Sequence, residues 1–395
     1  MSYYLLPRNH NLIYKSLECI ENKTTIKPVV SFSLAEYLYE IKKKISEKGI
    51  DWDTFKKYTN PYEYIHSIVP GKKKSVSKYK PLSRSYFKML EILKTFDFDF
   101  ETNINTFHLA EGPGGFIEAM VSYRKCPKDK YIGITLLDDK EDPTIPSWKK
   151  SETFLKNNAN VFIEKGRDKT GDILSLNNFL YCKEKYSSSM DFITGDGGFD
   201  FSIDFNKQEI SISKLLFAQV IYAIVLQKKN GSFVLKVFDC FMQHTIDILY
   251  LLSSFYNKVY VMKPNSSRFA NSEKYIICKG FLFDSCESFF PYLLNVFTKM
   301  ITIESENIQR FLNVPISNYY LSKIEEYNAI FGQQQIENIY YTISLIDSKI
   351  SNEKIEQMIK LNTQKCVQWC LRHNVLHNSN LHVVENIFLS QNNLI

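Results

Sequence analysis

Phe107-His108-Leu109-Ala110-Glu111-Gly112-Pro113-Gly114-Gly115-Phe116-Ile117-Glu118-Ala119-Met120 reads as a short apolar strand, a glycine turn and the first turn of a helix in immediate succession. Glycines at that junction let the backbone come close to a ligand at the carboxyl edge of a sheet, where open α/β folds bind. A nucleoside-bearing cofactor is the ligand implied. The spacing is G-x-G-G with a proline inside, not G-x-G-x-x-G, which disfavours nicotinamide and flavin. The plain alternative is a tight strand-to-helix turn with no ligand.

Outward from this turn, between Pro81 and about Asp284, short apolar runs alternate with helix-length segments, the pattern of a mostly parallel sheet with helices on both faces. The candidate strands are Thr106–Ala110, Tyr131–Leu136, Val161–Glu164, Asp191–Thr194, Ser232–Phe238, Val259–Met262 and Lys274–Cys278. That is a Rossmann-like, seven-stranded α/β domain. A long helix is expected over Lys214–Lys229, stopped by Asn230-Gly231. Ahead of the domain, Ser33–Lys48 has helical spacing, and the chain then turns basic and proline-punctuated. Lys72-Lys73-Lys74, followed by Lys78, Lys80, Arg84 and Lys88 with Tyr79 and Tyr86 interleaved, suits a phosphate backbone or equally a solvated linker. After Ser288 the alternation stops and long periodic segments such as Asn352–Leu376 predict helices. The expected division is a mainly helical, basic extension over 1–80, the α/β domain over 81–285 and a helical domain over 286–395.

With 395 residues, 44% of them hydrophobic, the chain has apolar material for two or three packed units. Its net charge of +6, drawn from many charges of both signs, is a moderate bias toward a polyanion. Eight cysteines in a chain too large to need staples are expected to be reduced thiols of an intracellular, soluble protein. No cleavable leader and no membrane span are expected. Cys366, Cys370, His373 and His377 fall near one helical face, but four ligands strung along a straight helix cannot close a tetrahedron around one ion, so no metal is expected.

Four charged residues stand in informative places. Lys236 lies inside the apolar strand Phe233-Val234-Leu235-Lys236-Val237-Phe238, where a lysine needs a partner or a route to water. Asp196 follows a strand in Thr194-Gly195-Asp196-Gly197-Gly198-Phe199. Lys88, in Ser83-Arg84-Ser85-Tyr86-Phe87-Lys88, and Glu273, in Ser267-Arg268-Phe269-Ala270-Asn271-Ser272-Glu273-Lys274, look ordinary alone.

Together these segments resemble the FtsJ-like ribose 2′-O-methyltransferases, whose lysine-aspartate-lysine-glutamate tetrad falls in order on Lys88, Asp196, Lys236 and Glu273. The flanking words match as well: S-R-x-x-F-K, G-P-G-G-F, F-V-L-K-V-F and S-R-x-x-x-S-E-x-Y, over about Pro81 to Phe283. Within that family the chain is most similar to the cap-specific branch of eukaryotes and large DNA viruses. The signs are A-E-G-P-G-G-F, G-I-T-L at Gly133–Leu136, G-D-I at Gly171–Ile173, D-G-G-F at Asp196–Phe199, and the run from Lys263 to Gly280.

The resemblance implies S-adenosyl-L-methionine as cofactor, held by Ser83, by Ala110, Glu111, Gly112, Pro113, Gly114, Gly115 and Phe116, and by Asp172 beside the adenine with Ile173. It implies substrate contacts at Arg84, Asn206, Lys207, Gln208 and Glu273, and methylation of the ribose 2′-hydroxyl of the first transcribed nucleotide of capped RNA. Other components of capping or transcription are the implied protein partners. In place of an acidic residue at the end of the second strand, Leu136-Leu137 comes first and Asp138 only after it, so recognition of the cofactor ribose is unassigned. A 2′-hydroxyl is too weak an acid to ionise at neutral pH, and the tetrad implies that Lys236 accepts its proton or stays charged and stabilises the alkoxide. The competing readings are the same chemistry on ribosomal or transfer RNA, and a catalytically silent RNA-binding subunit.

Overall fold

The short Val-, Ile- and Phe-rich runs do become strands, and the glycine turn lies at the middle of the sheet they build. A computed structural model describes residues 3–137, 148–198 and 205–378. Its strands are β1 (Tyr3–Leu5), β2 (Leu17–Glu21), β3 (Asn105–Leu109), β4 (Lys130–Ile134), β5 (Val161–Glu164), β6 (Met190–Gly195), β7 (Gln227–Val237), β8 (Tyr256–Met262), β9 (Lys274–Phe281) and β10 (Ile308–Leu312). Its helices are α1 (Phe32–Thr59), α2 (Ser85–Thr95), α3 (Gly115–Arg124), α4 (Glu152–Asn157), α5 (Leu176–Tyr186), α6 (Gln208–Ser211), α7 (Ser213–Leu226), α8 (Gln243–Phe255), α9 (Phe290–Ile301), α10 (Asn318–Asp347) and α11 (Asn352–Arg372).

The main sheet runs β1-β8-β9-β7-β6-β3-β4-β5. β9 is antiparallel to β7 and β8, β1 is antiparallel to β8, and the pairings from β7 to β5 are parallel. From β3 the chain first builds outward through β4 and β5, then returns to the other side with β6. The crevice above β3 is therefore the switch point of the fold, and the glycine turn at 111–115 sits on it.

Strand alternation splits the sheet into two apolar faces. Phe107, Leu109, Ile134, Ile193, Phe233 and Leu235 face α5, α7, α8, α9 and α10. Tyr131, Phe192, Val234, Tyr275 and Ile277 face α2, α3 and α11. The period of two that separates Val234 from its neighbours also puts Lys236 on the α2 side.

The sequence reading differs from the structure in several elements, among them β2 and β10, which are strands in stretches expected to be mainly helical. The sheet has an eighth strand, because Tyr3, Tyr4 and Leu5 pair with Met262, Val261 and Tyr260. Three residues are too few to show a period. The long helix ends at Leu226 and not at Lys229: Gln227 is already extended and pairs with Met190, and the Gln227 side chain donates to the Met190 carbonyl at 2.8 Å. Asn230, with φ of 64°, makes its left-handed turn inside the start of β7. The described stretches on either side of the α/β domain are woven into the same structure. α1 packs on α10 through Ala35, Leu38, Ile41, Ile339 and Ile343, and β2 pairs with β10.

All eight cysteines are unpaired, and seven are buried. Cys366 and Cys370 belong to the core beneath α2. Among the described residues no helix is long and apolar enough to cross a membrane.

Candidate active site

Four elements deliver the four charged residues to one place. β6, β7 and β9 are lateral neighbours, with Leu235 opposite Gly195 and Lys236 opposite Tyr275, so the end of β6, the end of β7 and the start of β9 share one edge. α2 covers that edge on the face Lys236 occupies. Lys236 Nζ donates to the Asp196 carbonyl at 2.6 Å and lies 3.3 Å from Asp196 Oδ1, which also accepts from the Tyr275 hydroxyl at 3.3 Å. Lys88 Nζ lies 2.7 Å from Glu273 Oε1, and the Ser267 hydroxyl donates to that same oxygen at 2.8 Å. The tetrad is thus two lysine–carboxylate pairs, each mostly shielded from water.

Burial pushes the Glu273 carboxyl upward, but the Lys88 and Lys236 charges outweigh it and bring the group down to about 2. It is a fixed anion at neutral pH. The D-G-G-F word has a steric reason as well. A Cβ on Gly198 would sit 3.2 Å from Lys236 Nζ, and the Gly197 amide donates to Gln219 Oε1 at 3.0 Å. Phe199 of that word and Asp138 lie outside the described residues.

The glycine turn is built for close approach. Gly114 has φ of +97°, and a Cβ on Gly115 would lie 2.2 Å from the Ser85 hydroxyl and 2.3 Å from that of Ser83. Ser83 therefore stands at the mouth of the turn, against the start of α3. Ala110 is left-handed, and Glu111 is buried with Oε1 accepting the Phe116 amide at 2.5 Å. Burial and then the Asp196 charge hold the Glu111 carboxyl well above the usual carboxylate range. Beyond β5, the loop that carries Asp172 is tied to the end of β4 by the Leu137 amide on the Thr170 carbonyl at 2.7 Å. Asp172 accepts the Leu174 amide at 2.8 Å, whereas Ile173 is turned into the core.

The residues expected at the substrate divide. Gln208 lines a cleft of about 110 Å3 together with Lys42, Trp52, Phe238, Ser272 and Glu273. The Ser272 hydroxyl donates to Gln208 at 2.9 Å, which ties this wall to the tetrad. Asn206 donates to the Tyr39 carbonyl at 3.1 Å, and Lys207 is exposed, 4.0 Å from Glu306. Arg84 is turned to Glu63 at 3.5 Å and to the Ser266 carbonyl at 3.3 Å. Lys72, Lys73, Lys74, Lys78 and Lys80 are all exposed.

Residues 81–281 match the FtsJ-like methyltransferase family, half of the chain. This chain belongs to the FtsJ-like methyltransferase family. Among the curated relatives similar to it are the following three. A cap-specific mRNA (nucleoside-2′-O-)-methyltransferase 2 of Pongo abelii is 30% identical over 340 residues, 82% of this chain and 43% of the relative. A cap-specific mRNA (nucleoside-2′-O-)-methyltransferase 1 of Drosophila melanogaster is 35% identical over 204 residues, 50% of this chain and 25% of the relative. The corresponding protein 1 of Trypanosoma brucei brucei is 28% identical over 255 residues, 62% of this chain and 65% of the relative. The chain thus spans less than half the length of the first of these.

Around the FtsJ-like centre stand buried groups that the sequence reading passed over. Glu91, one turn beyond Lys88, accepts the amides of Asn265 and Ser266 and, from α11, the Trp369 indole N–H at 3.1 Å. Glu63, ahead of the matched region, takes both Arg268 donors at 2.7 and 2.9 Å. A carboxylate inside the apolar run Met89-Leu90-Glu91-Ile92-Leu93 was a readable signal. Glu63, in Tyr62-Glu63-Tyr64, gave none.

Proposed function

We propose that this chain transfers a methyl group from S-adenosyl-L-methionine to the ribose 2′-hydroxyl of the first transcribed nucleotide of capped mRNA. The observation that carries the reading is the pair of lysine–carboxylate contacts, Lys236–Asp196 and Lys88–Glu273, set beside the glycine turn at the switch point of the sheet. The names of the relatives support the substrate.

The residues at the turn fit such a cofactor. A Cβ would collide with the Ser83 and Ser85 hydroxyls at Gly115 and press on Trp148 at Gly114, so the glycines let those side chains close in on the turn that would hold the cofactor. Bound there, the cofactor supplies an electrophilic methyl carbon on a sulfonium sulfur. The work left to the protein is alignment and the handling of one proton. After releasing its own proton to solvent, Lys236 accepts the proton of the acceptor hydroxyl as the neutral amine, with Asp196 fixing the direction of that amine. Lys88 holds the acceptor oxygen in line, and Glu273 fixes Lys88. The cleft that Gln208, Trp52 and Phe238 line beside Glu273 is where the nucleotide carrying that ribose enters.

The test is transfer of labelled methyl to cap-0 RNA and to the same RNA without its methylated cap guanosine, followed by mapping of the modified nucleotide. Transfer to the first nucleotide of the capped RNA alone is the expected result. Equal transfer to both RNAs moves the substrate to ribosomal or transfer RNA, and no transfer to any RNA leaves a binding subunit. Lys236→Ala is expected to lower turnover about 1,000-fold while cofactor binding persists.

A further inference from the structure

β8 and β9 are joined by the eleven-residue connection 263–273, at whose end Glu273 faces Lys88, and that connection is closed by an unusual arrangement of lysines. Lys263, the first residue after β8, is buried, and its ammonium donates to the main-chain carbonyl of Glu273 at 2.9 Å and to that of Asn271. Lys274, the first residue of β9 and also buried, donates to the Ser272 carbonyl at 2.9 Å. Three consecutive carbonyls, at 271, 272 and 273, are therefore each held by a buried lysine. Both hydrogen bonds described for Lys263 go to main chain and not to a carboxylate, which separates it from Lys42, also buried and paired directly with Asp239 at 2.6 Å.

Burying an ammonium is costly, and an apolar side chain would fill this place at less cost to the fold. What an apolar side chain cannot do is reach across the connection and pin two carbonyls that flank the one between them. Pinning Asn271 and Glu273 fixes the φ and ψ of the residue whose carboxylate sets the position of Lys88. The other end of the connection is held separately, by Glu91 on the Asn265 and Ser266 amides and by Glu63 on Arg268. Lys263 acts where the connection meets β9, at the tetrad itself.

We propose that Lys263 is a positioning residue of methyl transfer, which sets the main chain at Asn271 and Glu273 so that the Glu273 carboxylate stands in register with Lys88. The inference rests on the reaction proposed above. Lys263, buried and bonded to the main-chain carbonyl of Glu273, acts through that residue. Its own charge is compatible with the role in either state. Burial and then Lys274, with Lys88 adding to them against Glu273 and Asp239, bring the ammonium down to about 7. The neutral amine still has two N–H donors for its two carbonyls.

The experiment measures kcat, the KM for capped RNA and the dissociation constant of the methyl donor for Lys263→Met and Lys263→Gln in the full chain, with thermal midpoints as a control. Lys263→Met keeps length and volume without donors and is expected to lower kcat about 10- to 100-fold, with KM and donor affinity within about two-fold of wild type. Lys263→Gln, whose amide nitrogen again offers two donors, is expected to recover part of that loss. Two results overturn the proposal. One is kcat within about two-fold of wild type in Lys263→Met. The other is loss of donor affinity and thermal midpoint in both variants alongside kcat, which makes the lysine a general support of the fold. A wild-type protein that methylates no RNA is a different failure, that of the proposed reaction.

Discussion

Glu273 is buried between two lysines, and at that scale the electrostatics lead directly to a measurement. Burial raises its carboxyl, Lys88 and Lys236 more than reverse the effect, and the group rests at about 2 in the folded protein against an ordinary 4.5. A folded value below the free one means that the pair stabilises the fold fully above about pH 5 and loses that contribution as pH falls through 4.5 toward 2. The contribution is about 3 kcal/mol. Urea unfolding of wild type and Glu273→Gln should show this gap at pH 7 and a narrowing gap below pH 4.5; a gap constant from pH 7 to 3.5 contradicts the pairing. Single residues differed in how readable they were for the same physical reason. Lys236 announced itself because every sequence neighbour from Phe233 to Phe238 is apolar. Lys263 and Glu63 did not, since their partners lie ten and more than two hundred residues away and a charge beside a proline or a tyrosine looks solvated until those partners are placed.

Elements were legible where they were long or carried a turn signature, and illegible where they were short or borrowed their order from elsewhere. The seven expected strands all form, because alternation between faces needs only five or so residues to show. β1 has three, and its order comes entirely from pairing with β8. At the end of α7, Asn230-Gly231 has the residues of a helix stop, yet Gln227 leaves the helix earlier to anchor on Met190. The glycine turn is the element on which cofactor binding depends, and a Cβ tests it. Gly115→Ala places a methyl group 2.2 and 2.3 Å from two hydroxyls and 3.2 Å from the Tyr86 main-chain nitrogen. Because α2 must then shift, calorimetry should show donor affinity weakened about ten-fold or more, a loss of about 1.4 kcal/mol. Unchanged affinity contradicts the assignment of the turn. The far end of the same helix provides the opposite case. Lys125 caps α3 in a left-handed conformation with φ of 51°, so Lys125→Gly should raise stability by about 0.5–1 kcal/mol with turnover unchanged.

At the scale of the whole molecule, the region that matches the family ends at 281, but the physical unit that holds the tetrad reaches further. Glu63 fixes Arg268 from the N-terminal side, and Trp369 reaches Glu91 from α11, so both flanks grip the connection that ends in Glu273. α9 and α10 cover the face of the sheet opposite α2 with Phe297, Tyr320, Ile324 and Phe331, and β1 closes the edge at β8. A fragment of residues 81–285 would lose all of these together. It would expose an apolar face and an unpaired strand edge, the two features that drive chains to associate. It is therefore expected to lack near-ultraviolet circular dichroism, to unfold without a cooperative transition and to elute as aggregates in size-exclusion chromatography, whereas the full chain unfolds cooperatively. A monomeric fragment with a sharp transition would show that the flanks add surface to a self-sufficient domain, and Glu63 and Trp369 would then have no part in holding the catalytic edge.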